Sequence, residues 1–286
     1  MRRLGLLRPR TERREVQLQI QPVTAGPARR LAEASVVPLV LLAVWYALTR
    51  NILDPGIYPG PDKVLASLVE IIDLIPSATW VSLRMVLLGM AVGSVAGLAT
   101  GIIFGYSAFI RRFFEATLDN LVRPVPLFAL IPFFILWFGV GYAPQVSLVA
   151  LAMFLLWTLV TLEAIRNVPH IYMQAALTTG ASRFHIYRTV VVPAIIPHLV
   201  GSLRLAAASA WGLDAAVELI GGSRTGLGFI LLVRNQYLDP AGMMMIVFIF
   251  CTLAIIFDQA VRLISARIIR WSPRSDRGLV GSMLGN

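Results

Sequence analysis

The chain has 286 residues, of which 57% are apolar and only 14% charged, and its mean hydropathy is +0.76. A soluble domain of this length needs more charge to cover its surface, so the composition excludes one and predicts an all-α integral membrane protein. The formal net charge of +10 comes largely from arginines flanking apolar runs, which membrane orientation explains better than nucleic acid binding.

Residues 1–33 are basic and polar, without the apolar core of a signal peptide. They are expected to form a disordered cytoplasmic arm. Six spans follow over residues 34–271. The first runs from Ala34 to Leu53 and the second from Thr79 to Tyr106. The third runs from Phe113 to Phe138, the fourth from Pro144 to Ile165. The fifth covers Ala194 to Ile220 and the sixth Gly242 to Ser265. Residues 272–286 form a tail. Between the first two spans, Asp62 is placed to cap a short helix with Val64, Leu65, Leu68 and Ile71 on one face. That helix is too short to span and is expected to lie on the outer membrane surface.

With the N-terminus inside, the inner segments hold 18 of the 25 Lys and Arg residues and the outer segments hold 4. Both termini are therefore predicted to be cytoplasmic, together with the polar interruption from Arg166 to Pro193.

In the second span Gly89, Gly93, Gly97, Gly101 and Gly105 recur every fourth residue. They form one smooth stripe, which predicts a tight helix–helix seam or a surface that slides during gating. The partner helix is not specified. The third span carries Pro124, Pro126 and Pro132, read either as kinks for packing or as a wall of a pathway that changes shape.

The Arg166–Pro193 interruption is patterned. Gln174, Ala175, Ala176 and Leu177 favour helix. Gly180 can end that helix in a left-handed cap, and Ser182 can start a second one carrying Arg183. Pro193 marks the return to the membrane. The shape is a two-helix elbow, either an ordinary structured loop or a knob that enters a groove on a partner.

The pattern Q-A-A-x3-G-x9-V-x-V-P over Gln174–Pro193 resembles the E-A-A-x3-G loop of permease subunits of binding-protein-dependent ABC importers. Ala175, Ala176, Gly180 and Pro193 match, and Gln174 replaces the family Glu. Three further blocks resemble the nitrate/sulfonate/taurine branch: G-A-S-R-F-H-I-Y-R-T-V-V-V-P, L-V-R-P-V-P-L-F-A-L-I-P-F-F and A-V-E-L-I-G-G-S-R-T-G-L-G-F. The similarity extends over about Pro59 to Trp271.

The resemblance implies a type I importer permease in the bacterial inner membrane. It would pair with a second copy, in a homodimer, and line a path for a small polar solute. An extracytoplasmic binding protein would deliver the solute. Two ATPase subunits would dock on the elbow at Gln174, Ala175, Ala176, Gly180, Ser182 and Arg183. ATP and magnesium would sit on those partners, because this chain has no G-x-x-x-x-G-K-[ST] loop. The family Glu is lost at Gln174, so docking is expected to depend on shape and apolar contact.

Asp214 and Glu218 lie one turn apart in the fifth span, where carboxylates are expensive. Three readings stand. They pair with an arginine such as Arg204 or Arg84, they line the solute path near the outer gate, or they share a proton. The pair also motivates the alternative of an ion-gradient-driven secondary transporter. Against it, the chain has no clear inverted repeat with matching broken helices. Asp258 is expected to pair with Arg262 at i+4. The three histidines show no ligand spacing, so no metal site is predicted, and no nucleophilic triad is suggested. The loop from Gly221 to Gly228 is read as a flexible outer connection or a contact for the binding protein.

Overall fold

The computed structural model describes residues 27–54, 56–117 and 126–268. Most of the predicted N-terminal arm, the C-terminal tail, Arg123 and Pro124 lie outside the described residues. Among those described there is no strand. The helices are α1 (Pro27–Asn51), α2 (Pro61–Ile71), α3 (Ile75–Tyr106), α4 (Ala108–Thr117), α5 (Ile131–Phe138), α6 (Tyr142–Arg166), α7 (His170–Thr178), α8 (Arg183–Ile186), α9 (Val192–Leu219), α10 (Leu227–Gln236) and α11 (Pro240–Ile268).

Among the described residues, four runs are long and apolar enough to cross a membrane: Ile75–Tyr106, Tyr142–Arg166, Arg183–Leu219 and Pro240–Ser265. Two shorter apolar helices, Ser35–Asn51 and Leu127–Phe138, accompany them. The described residues before Leu42 fall in a unit separate from the main body, which begins at Leu42. In the main body Trp45 meets the Phe248 ring on α11, with centroids 6.0 Å apart.

The predicted third span is not one helix. Phe113 lies in α4, and α5 is reached through a 3-10 turn over Leu127–Leu130. Pro126 is extended, and Pro132 sits in the first turn of α5, where its missing N–H is harmless. Gly139 (φ 77°) and Gly141 (φ 144°) then take positive φ between α5 and α6.

Helix α2 also departs from expectation. Gly60 is its N-cap and Asp62 makes no capping bond. Val64 and Ile71 are buried beside Met245 and Ile246 of α11, while Leu65 stays exposed. The Ser67 hydroxyl reaches both the Val64 carbonyl (2.8 Å) and the Ala241 carbonyl (3.3 Å). One face of the helix is therefore docked on α11.

The centre of the molecule is the seam between α3 and α6. All five stripe glycines are buried. A Cβ at Gly89 would lie 2.6 Å from the Val149 Cβ, and one at Gly101 would lie 2.6 Å from the Thr161 Cβ. At Gly93 it would collide with the Ala150 carbonyl oxygen. Only glycine allows these two backbones to come so close. The Thr158 hydroxyl crosses the seam to the Gly97 carbonyl at 3.3 Å.

Helix α9 packs on α6 through Ala206, Ala207, Ala210 and Val217, beside Leu148, Val149 and Trp157. It meets α11 through Trp211, which stacks on Phe257 (6.3 Å), and through a bidentate pair between Arg204 and Asp258, both bonds 2.7 Å. That geometry replaces the expected Asp258–Arg262 pair, because the planar guanidinium fork fits a carboxylate on the neighbouring helix.

Candidate functional site

Two regions concentrate polar chemistry, one at each end of α9. The first is the elbow. Helix α7 ends at Thr178, and Gly180 follows with φ of 76°. The Ser182 side chain then accepts the His185 N–H at 3.3 Å and starts α8. The chain does not break at Pro193. A π-helical turn over Tyr187–Val191 joins α8 to α9, with the Val192 N–H donating to the Tyr187 carbonyl five residues back. Pro193 cannot donate, and a widened turn accommodates its ring.

No residue of α7 is buried. Gln174 and Ala175 are exposed, and Ala176 is half-buried. Ile171, Tyr172, Leu177 and Phe184 present an exposed apolar surface around them. Ser182 and Arg183 are exposed at the start of α8. The elbow is anchored from behind by Val168, Val191 and Ile195, which pack on Ala164 and Ile165 of α6. Tyr187 adds a link to α3: its hydroxyl donates to the Ile102 carbonyl, and its ring stands edge-on to Tyr106, with centroids 5.2 Å apart. Gly105 leaves room for that hydroxyl, which would stand 3.0 Å from a Cβ there. A cavity of about 480 Å³ lies behind the elbow, with Met173, Leu177, Ile186 and Tyr187 in its wall.

The second region surrounds Glu218. Its carboxylate is fully buried and gathers four segments. It accepts from the Ser82 hydroxyl of α3 (2.9 and 3.0 Å), from Gln145 Nε2 of α6 (2.9 Å) and from the Gly228 N–H of α10 (2.7 Å). Ser82 in turn accepts the Leu227 N–H at 3.0 Å. The carboxylate thus satisfies donors at the N-terminus of α10, where negative charge is favoured. Gly226 (φ 102°) and Gly228 press so close on Glu218 that a side chain at either would meet it. Gly222 packs on Val217, and Ser223 is buried. The Gly221–Gly228 connection is therefore folded tightly over the end of α9.

Asp214 lies one turn away and is 1% exposed, and neither of its oxygens has a hydrogen-bond partner. The expected arginine partners are engaged elsewhere. Arg204 holds Asp258, and Arg84 stacks over the Tyr142 ring at 5.2 Å. In this structure neither Asp214 nor Glu218 reaches a surface. Ser82 and Gln145 were not singled out from the sequence. Their signal is that of uncharged polar residues in apolar helices, which are costly to bury unless bonded.

In the last turn of α10, Arg234 bonds Asp239 at 2.9 Å and Glu70 at 3.1 Å. Burial opposes its charge, but these two carboxylates leave its pKa above the ordinary value. Among the described residues no group of three or more His, Cys, Asp or Glu is gathered to hold a metal.

The described residues thus form a bundle with four membrane-length helices, a glycine-lined seam and a surface elbow. Residues 58–270 match the model of the binding-protein-dependent transport system inner membrane component. The chain belongs to that family and is a non-catalytic permease subunit of an ABC importer. It is 28% identical over 240 residues to the taurine transport system permease protein TauC of Escherichia coli, covering 81% of this chain and 86% of that protein. It is 26% identical to the putative aliphatic sulfonates transport permease protein SsuC of Bacillus subtilis, covering 82% and 86%. Formylaminopyrimidine transport permease protein ThiX of Halalkalibacterium halodurans is also 26% identical, covering 82% and 93%. Among solved structures, the inward-facing MetNI methionine ABC transporter shares the fold. Its TM-score is 0.59 at 21% identity, over 72% of this chain and 99% of that one.

Proposed function

We propose that the chain works as one of two identical permease subunits in an ATP-driven importer, with two ATPase subunits docked on its elbows. ATP and magnesium belong to those partners. Both termini and the elbow face the cytoplasm, and a binding protein delivers the solute at the opposite end. Names given to relatives, which include taurine, aliphatic sulfonates and formylaminopyrimidine transport permeases, point to a small polar solute.

The observation that carries this reading is the elbow surface. No residue of α7 is fully buried within the chain, and Ile171, Tyr172 and Leu177 are 63%, 53% and 57% exposed beside uncharged Gln174 and Ala175. An exposed apolar patch on a structured segment marks a partner surface. Val168, Val191 and Ile195 link the elbow to α6 and α9, so displacing it would move the spans directly.

The buried carboxylates take a bracing role in this reading. Glu218 ties α3, α6, α9 and α10 together at the outer end. Asp214 lies one turn away in the same buried corner.

The test is reconstitution with the cognate ATPase and binding protein. Leu177→Glu is expected to abolish co-purification of the ATPase and ATP-driven uptake while leaving the permease folded. Full ATPase retention by this variant would place docking elsewhere. Robust uptake without ATP, under an ion gradient, would instead support a secondary transporter.

A further inference from the structure

A second concave surface shares Tyr106 and Tyr187 with the elbow cavity, and the importer reading assigns it no ligand. It is a groove of about 380 Å³, within the range of small-molecule sites (roughly 300–1,000 Å³). Ile102 and Ile103 of α3 and Val192 of α9 form its apolar wall. Tyr106 and Phe184 stand at its mouth as an edge-to-face pair, with centroids 6.4 Å apart. Arg188 lies on its rim.

The position is as informative as the lining. Tyr106 is the last residue of one membrane-length helix, and Phe184 and Arg188 lie at the start of another. The groove therefore runs from apolar helix to polar elbow, across the depth at which lipid headgroups sit. Tyrosines collect at that depth, and arginines bury their stems there while extending their charge to the polar layer.

The charge balance selects the ligand. Arg188 is exposed, and no carboxylate pairs with it among the described residues. Arg111 acts electrostatically on the Tyr187 side chain that forms the back wall. An arginine fork binds phosphate oxygens in a bidentate way. A zwitterionic headgroup offers that phosphate but brings a cation into a basic neighbourhood. A net anionic headgroup does not. A free phosphate would leave Ile102, Ile103 and Val192 uncovered.

We propose that this groove is a binding site for an anionic phospholipid, with the headgroup phosphate on Arg188 and the upper acyl chain against Ile103 and Val192. The lipid would lie against the π-helical turn that joins the elbow to α9. Occupancy would thus bear on how the elbow moves.

The experiment uses the full chain purified from nanodiscs containing equal amounts of phosphatidylglycerol and phosphatidylcholine with the same acyl chains. Retained lipids are counted by native mass spectrometry as detergent is removed. Wild type is expected to retain phosphatidylglycerol preferentially. Arg188→Gln is expected to lower that preference about fivefold, the factor carried by one cationic contact with an anionic lipid. Ile103→Trp, which fills the groove, is expected to reduce retention of both lipids. Arg224→Gln, at the opposite end of α9, should change nothing.

Equal retention of the two lipids by wild type would overturn the proposal. So would an equal loss of preference in Arg224→Gln, which would mean general attraction to a basic protein. If Ile103→Trp disrupted the permease pair while lipid retention stayed unchanged, the groove would belong to a second copy of the chain, and the proposal would fall. Both Arg188 and Ile103 are exposed, so the variants are expected to keep the wild-type melting temperature.

Discussion

Replacing Glu218 tests the polar cluster most directly, because two substitutions lead to opposite expectations. In Glu218→Ala, Gln145 Nε2 and the Gly228 N–H lose their acceptor, and the Ser82 hydroxyl loses the group to which it donates. A buried donor left unsatisfied costs about 1–3 kcal/mol. Three such losses sum to about 3–9 kcal/mol, and water entering the space brings the result toward the lower end. In Glu218→Gln the shape is kept. The new carbonyl oxygen can still face Gly228 and Ser82, while the new amide would meet the Gln145 amide head-on. Gln145 has a remedy, because its Oε1 has no partner in this structure. Turning its amide over presents that oxygen to the new donor. Loss of the charge-assisted bonds is also offset by removing a buried charge. Glu218→Gln should therefore cost less than about 2 kcal/mol, and Glu218→Ala at least about 3 kcal/mol. Reversible unfolding by SDS in mixed micelles, followed by circular dichroism, measures both. Equal losses in the two variants would refute the reasoning and show that the cluster needs the negative charge itself.

The glycine seam has a built-in control. Gly93→Ala forces a methyl onto the Ala150 carbonyl and should destabilise by about 1–3 kcal/mol. Gly212→Ala meets nothing within 4 Å and should gain up to about 1 kcal/mol from helix propensity; thermal melting of the two separates packing from propensity. Gly180→Ala puts a Cβ on a residue with φ of 76°, strain of about 1–2 kcal/mol, and ATPase co-purification should fall although the spans still form. Docking on Gln174, Ala175 and Leu177 involves no acidic side chain of α7, so ATPase retention should not change between low and physiological salt; dissociation over that range would point to ion pairing instead.

Much of the architecture could be read from the chain because membrane burial acts on single segments. A run of some twenty apolar residues has to become a helix, since lipid offers no partner for its backbone. The α3, α6, α9 and α11 spans were therefore legible. The elbow was legible for another local reason: Gly180 and Ser182 perform their turn and cap within a few residues of themselves. The stretch around Pro126 and Pro132 was read as a kinked span, and the structure puts an extended Pro126 and a 3-10 turn over Leu127–Leu130 ahead of α5.

What the tertiary structure decided is which segment meets which. The glycine spacing implied close packing, but only the fold shows α6 as the partner, since many apolar helices could in principle lie on a smooth face. Arg204 was considered as a partner for Asp214 or Glu218, and it engages Asp258 because α9 and α11 cross there. Glu218 stood out as a buried charge, yet Ser82, Gln145 and the α10 N-terminus, which make it tolerable, lie 136, 73 and 10 residues away. Hydrophobic periodicity is a local signal and determines how each segment folds. Hydrogen bonding in a low dielectric is a demand that any nearby donor can meet, and only the packed bundle selects the donors.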